Sequence, residues 1–207
     1  MIFLPSRGRR EVLQRFFAVS APSVVGRVLI DDDDEETYAG MVLPDGWEFL
    51  CSRRTGIAKR INLAFRAFPD ELWYAMMADD VECGPAGWDR VLAAVAQPCY
   101  VAWGNDPKWG EKLCTTFFVG GDLVRKIGFL VAPVFRHLYI DRVWHDIATG
   151  AGLGRYHPEV SCRVTRVRDK TWMERRAEMD PNRYFEYNRS GEIGKLISVA
   201  KTFGKGK

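Results

Sequence analysis

Two adjacent carboxylates, Asp79 and Asp80, close an apolar run, Leu72-Trp73-Tyr74-Ala75-Met76-Met77-Ala78, that reads as a buried strand. Side by side at a strand end, they repel each other unless a cation or hydrogen-bond donors compensate. A divalent ion carrying a diphosphate is the natural partner, because Mg²⁺ takes one or two carboxylates together with substrate phosphate oxygens. The plain alternative is a polar turn before Pro85. A second acidic group, six consecutive acids at residues 31–36, follows the apolar run 27–30 and reads equally as a solvated loop. A third pattern, His137-x-x-x-Asp141-x-x-x-His145, would put three ligand-type side chains on one face if the segment were a single helix. Lone histidines beside aromatics are more often packing or cap residues. No Gly-x-x-x-x-Gly-Lys-Ser/Thr loop and no Gly-x-Ser-x-Gly elbow is present, which argues against kinase-like and hydrolase readings.

The elements that must position these groups alternate in type. Short apolar runs at 2–4, 27–30, 47–51, 72–78, 99–103 and 115–119 read as strands, and 160–167 looks extended. Helical spacing appears at 9–20, 56–68, 88–96, 122–127 and 141–149. This alternation predicts an α/β fold with a largely parallel sheet flanked by helices. Ligands of such sheets bind beyond the carboxyl ends of the strands. The clusters Pro5-Ser6-Arg7, Asp31-Asp32-Asp33-Asp34 and Asp79-Asp80 sit at those ends. After about residue 172 the pattern changes. Asp180-Pro181 reads as a helix start, and 173–207 as a basic helical tail on a 1–172 domain.

Bulk numbers bound the rest. The chain has 207 residues, 47% of them apolar and 28% charged, which fits one large globular domain. A formal net charge of +3 is too mild to argue for nucleic acid by itself, although Arg163, Arg166, Arg168 and Lys170 concentrate cations late in the chain. Five cysteines with no C-x-x-C spacing argue against a disulfide framework or zinc site and predict a reducing, cytoplasmic setting. No apolar run approaches a membrane span, and the start is too short for a signal peptide, so a soluble protein without membrane insertion is expected.

In order, Pro5-Ser6-Arg7-Gly8-Arg9, Val28-Leu29-Ile30 with the acid block and Tyr38, Gly56-Ile57-Ala58-Lys59-Arg60-Ile61-Asn62, and Ala78-Asp79-Asp80-Val81 with Gly87-Trp88-Asp89 make a pattern. Gly104-Asn105-Asp106, Thr115-Thr116-Phe117-Phe118-Val119 and His137-Leu138-Tyr139-Ile140-Asp141 with Trp144 continue it. This series resembles compact bacterial and phage GT-A glycosyltransferases, over roughly residues 1–172. The resemblance implies a GT-A fold, a nucleoside-diphosphate sugar donor such as a UDP-sugar, and inverting transfer to a hydroxyl.

It also implies roles. Pro5, Ser6 and Arg7 would line the nucleotide loop, Asp32 or Asp33 would bind base or ribose, and Arg53, Lys59 and Asn62 would contact the donor. Asp79 would bridge donor and metal, and Asp80 would hold a divalent cation, Mn²⁺ or Mg²⁺. Asp141 is the expected general base, since transfer to a hydroxyl needs a carboxylate to take its proton; helix capping is its alternative. Asp106, in a Gly-Asn-Asp-Pro turn, is the second candidate, equally suited to a structural turn.

One departure stands out. Family members often carry a metal-holding histidine after the last core strand, whereas the corresponding stretch here, Glu159-Val160-Ser161-Cys162-Arg163-Val164-Thr165-Arg166, has none. Arg163 and Arg166 could neutralise a diphosphate or hold an acceptor directly. His157 is the substitute ligand nearest in sequence. The acceptor stays open: hydroxymethylated pyrimidine in phage DNA, a surface glycan or a protein. A nucleotidyltransferase and a non-catalytic nucleotide- or nucleic-acid-binding module are the rival readings.

Overall fold

The computed structural model describes residues 1–136, 139–165 and 181–204. His137, Arg166 and Asp180 lie outside the described residues, as does the expected 172/173 boundary. Eight strands form one sheet: β1 (Ile2–Pro5), β2 (Gly26–Asp31), β3 (Trp47–Ser52), β4 (Trp73–Met76), β5 (Val81–Gly84), β6 (Val101–Asn105), β7 (Phe117–Gly120) and β8 (Gly154–Val164). Their spatial order is β3-β2-β1-β4-β7-β6-β8-β5. The pairs β3/β2, β2/β1, β1/β4 and β6/β8 are parallel, while β7 runs antiparallel to β4 and β6, and β5 antiparallel to β8. Six of the strands therefore point the same way, and their carboxyl ends share one edge.

The helices are α1 (Arg10–Ser20), α2 (Glu35–Tyr38), α3 (Ile57–Ala67), α4 (Trp88–Ala96), α5 (Gly121–Ile127), α6 (Ile140–Ala151), α7 (Pro181–Arg189) and α8 (Glu192–Gly204). Strand β1 is buried on both faces, so it reads as a continuous apolar run rather than an alternating one. Phe3 packs into a core with Ile61, Tyr74, Phe117 and Trp144, whereas Ile2 and Leu4 pack into the opposite core with Leu13, Phe16 and Trp88. The C-terminal helices join the first of these cores through Tyr184, Ile193 and Ala200. Gly150 on α6 allows that approach: a Cβ there would lie 2.6 Å from Ile197 Cδ1.

Strand β8 carries a break. Gly104 pairs with His157, but the next residue, Asn105, pairs with Ser161. Pro158, which cannot donate to a ladder, sits inside this bulge. Gly104 is required opposite it, because a Cβ would meet the Val160 carbonyl oxygen at 2.5 Å. Beyond the bulge β8 leaves β6 and pairs with β5, which brings its end beside Asp80. Among the described residues, no helix is long and apolar enough to cross a membrane.

Candidate active site at the carboxyl edge of the sheet

The turn after β1 organises the site. Ser6 Oγ donates to Asp79 Oδ2 at 2.8 Å, and Arg9 Nη1 donates to Asp79 Oδ1 at 3.0 Å. Both members of the Arg9–Asp79 pair are almost wholly buried. Tyr38 closes the cluster: its hydroxyl shares a 2.8 Å hydrogen bond with Ser6 Oγ and accepts from the Arg9 amide. Burial pushes that phenol up to about 12, so it stays protonated.

The same turn gathers the acid block. Arg7 donates to Asp31 at 2.9 Å and grips both oxygens of Asp33. Its guanidinium holds the Asp33 carboxyl below the usual carboxylate range. The Gly8 amide donates to Asp34 at 2.7 Å. Asp31 is buried and takes a second guanidinium, Arg60 of α3, on its other oxygen. Asp32 accepts from the Arg54 amide at the end of β3 and is otherwise exposed. Arg53, also exposed, sits one residue earlier in that loop.

Asp79 and Asp80 thus differ in role. Asp79 has both oxygens engaged by protein donors. Asp80 is half-buried and lies 3.8 Å from Arg9 through its Oδ2. Thr165, just past β8, donates both its amide and its hydroxyl to the Asp80 carbonyl, at 2.8 and 2.9 Å. A cleft of about 410 Å³ opens here, lined by Arg15, Asp79, Asp80, Glu82, Arg163 and Thr165 among others. Arg163 pairs in register with Glu82 across the ladder.

No group of three His, Cys, Asp or Glu residues able to hold an ion by protein ligands alone occurs among the described residues. One available carboxylate, Asp80, fits an ion that arrives with a diphosphate, since Mg²⁺ and its like keep several waters and take one or two carboxylates. His157, the substitute ligand considered from sequence, is hydrogen-bonded through Nδ1 to Glu159 at 2.6 Å on the bulge.

The other expected residues fall at the same edge, because β6 and β8 are parallel to β4 through the antiparallel strand between them. Asp141 occupies the first turn of α6, the helix that leads into β8. One oxygen accepts from the Arg142 amide at 2.8 Å, and the Cys114 thiol holds the Asp141 carbonyl at 3.1 Å. Burial raises the Asp141 carboxyl above the ordinary range. Tyr139, at the helix N-cap with φ of 66°, stacks on Tyr184 of α7 with ring centroids 5.2 Å apart. Tyr184 in turn donates to Asp146.

Two expected site residues hold backbone instead. Asp106 accepts from the Lys108 and Trp109 amides and from Thr115 Oγ1, so its carboxylate is spent on closing its own turn. Asn62 is buried on α3 and makes three hydrogen bonds to the backbone of Leu130 and Val131. It positions the segment that leads to α6. Asn62→Ala leaves three buried backbone groups unpaired and should cost about 2–4 kcal/mol, measurable as a lower urea midpoint at unchanged m-value. His145, the other half of the helical His/Asp pattern, is buried edge-on against Trp103 at 5.6 Å, a packing position. Sequence reading did not single out Arg9, Arg60 or Thr165. Arg9 and Arg60 are buried arginines whose partners lie 70 and 29 residues away, with no local signal.

Lys59 lines a second cleft of about 460 Å³ between α3 and the segment before α6, together with Arg66, Pro133, Phe135 and Arg136. Among the described residues the lining holds three cations and no acid.

No protein-family model and no curated protein matches the sequence. Solved structures do. The chain is similar over 99% of its length to a mannosyltransferase from Pyrobaculum calidifontis in complex with GDP-Man and Mn²⁺, at a TM-score of 0.66, 12% identity and 69% coverage of that chain. The fold is that of the GT-A nucleotide-diphospho-sugar transferases. A candidate nucleotide-diphospho-sugar transferase from Desulfovibrio desulfuricans G20 aligns over 96% of both chains at a TM-score of 0.54 and 14% identity. The manganese complex of Rv0371C from Mycobacterium tuberculosis H37Rv aligns over 86% of this chain and 96% of its own, at 0.54 and 16%. The GT-A architecture expected from the ordered motifs is therefore the one observed, including a mostly parallel sheet.

Proposed function

We propose that this chain transfers a sugar from a nucleoside-diphosphate donor to an acceptor hydroxyl, with inversion at the anomeric carbon. The observation that supports the reading is a half-buried carboxylate, Asp141, in the first turn of a helix that starts at the same sheet edge as the Arg9–Asp79–Asp80 cluster. Asp141 takes the proton as the acceptor oxygen attacks, and its raised pKa makes it a better base than an exposed aspartate. Ser6, Arg7, Asp32, Asp33 and Arg53 surround the donor, with Asp79 held rigid beneath it, while Lys59 faces the second cleft. Asp80 would hold Mn²⁺ or Mg²⁺ delivered with the donor, and the chemistry such an ion would supply is neutralisation of diphosphate charge. Arg163, on the same cleft as Asp80, supplies a second positive charge. The GDP-Man and Mn²⁺ bound by the Pyrobaculum protein support this class of donor and ion.

The acid-free cleft of Lys59, Arg66 and Arg136 supports an anionic acceptor, and hydroxymethylated DNA is the one we propose. Arg66→Ala combined with Arg136→Ala should then raise KM for such DNA several-fold and flatten its salt dependence, while donor hydrolysis is unchanged.

A hydrolysis screen of nucleoside-diphosphate sugars, with and without Mn²⁺ and with hydroxymethylated DNA added, tests the whole reading. Cleavage of one donor, faster with acceptor, is expected. Failure of every donor, or consumption of a nucleoside triphosphate with a sugar phosphate instead, overturns it. Turnover should also fall as pH drops through the raised pKa of Asp141, because only its ionised form accepts a proton. A profile flat down to the ordinary aspartate range would remove Asp141 from the base role.

A further inference from the structure

Cys83 on β5 and Cys162 on β8 are directly opposite in the antiparallel ladder. Their Sγ atoms are 3.0 Å apart, and both thiols are free and buried. The hydrogen bonds around them fix the kind of pair. The Cys83 amide donates to Ser20 Oγ on α1, and Ser20 Oγ donates to the Val81 carbonyl, so these groups of β5 point away from β8. Cys83 and Cys162 are therefore a non-hydrogen-bonded pair, the type whose Cα atoms approach to about 4.5 Å. That spacing falls inside the window a disulfide requires, roughly 4.4–6.8 Å. The two side chains already face each other, so closing the bond asks for no exchange of strand register.

We infer that Cys83 and Cys162 are a thiol pair that closes to a disulfide under oxidising conditions, cross-linking β5 to β8 beneath the Asp79-Asp80 turn. One thiolate attacks a small aliphatic disulfide and releases one small thiolate. The second cysteine then displaces the small thiol from the mixed disulfide. Overall, two protein thiols and one small disulfide become one protein disulfide and two small thiols. Access requires β5, a four-residue strand at the end of the sheet, to open locally. The remaining cysteines stand apart from this pair: Cys51 is exposed on β3, while Cys99 and Cys114 are buried in the opposite core.

The cross-link would tighten the part of the sheet that carries Asp80, because Thr165, one residue past β8, holds the Asp80 carbonyl. It would also join residues 79 apart in sequence, a long loop whose closure restricts the unfolded chain.

The test uses the full chain carrying Cys51→Ser, which removes the exposed thiol, incubated with bis(2-hydroxyethyl) disulfide and then denatured. Expected are the loss of two of the four remaining thiols, a peptide map joining the Cys83 and Cys162 peptides, and a Tm higher by roughly 5–10 °C that dithiothreitol reverses. Four thiols still titratable after oxidation overturn the inference. So does a cross-link through Cys99 or Cys114. Because the peptide map needs no substitution in the core, the outcome does not depend on how a Cys162 variant folds.

Discussion

Replacing Asp141 by asparagine should lower turnover by ~10²–10⁴-fold and leave the donor dissociation constant unchanged. The amide preserves shape and can still accept from the Arg142 amide, but it cannot take a proton. Stability separates this from a capping role. A carboxyl whose folded pKa lies above its unfolded value contributes stability below the unfolded pKa, and that contribution is lost as pH rises through the folded pKa. At neutral pH the ionised Asp141 is therefore a burden on the fold, and Asp141→Asn should be neutral or stabilising in a thermal melt. Loss of turnover with a melt no lower than the parent's is the signature of a group kept for chemistry. A lower melt with turnover intact would make Asp141 a cap.

The second large effect belongs to Arg9. Arg9→Met keeps the aliphatic bulk but takes the guanidinium from the buried Asp79 carboxylate. Removing one partner of a buried pair leaves an uncompensated charge and costs about 3–5 kcal/mol. Ser6 remains as a donor to Asp79 and moderates the loss. Urea unfolding should show the lower stability. An unshifted urea midpoint would mean that Asp79 is sustained by its other contacts. Donor binding should weaken as well, because Asp79 and the adjacent Asp80 would both lose Arg9.

The frame of the sheet is visible in the sequence where strands are buried on both faces. Runs such as Ile2-Phe3-Leu4 and Val28-Leu29-Ile30 carry enough apolar residues to stand out without a partner. Strand β5 is not visible that way. Val81-Glu82-Cys83-Gly84 has only two apolar side chains facing the core, and it becomes a strand because β8 comes back to meet it about 80 residues later. The first half of β8 is hidden for a related reason: Pro158 contradicts a strand until the bulge accommodates it.

The site divides in the same way. Its location at the strand ends follows from the α/β alternation, and Asp79-Asp80 and Asp141 stand out as acids in apolar surroundings. What each acid does depends on partners that only folding supplies. Nothing local distinguishes Asp106, consumed by its own turn, from Asp141, or marks Asn62 as a brace for residues 130–131. Likewise the cysteine spacing, read as five unrelated thiols, could not reveal that two of them meet across a ladder.

Ser20 has one more consequence. Strand β5 ends the sheet, and a bare strand end is a template on which a second molecule can extend the ladder. The outward carbonyl of Val81 and amide of Cys83 are both taken by one hydroxyl, delivered from the last residue of α1. Strand addition at that border is opposed by α1 itself and by the serine it carries, and Ser20→Ala would leave a buried amide and carbonyl of β5 unpaired.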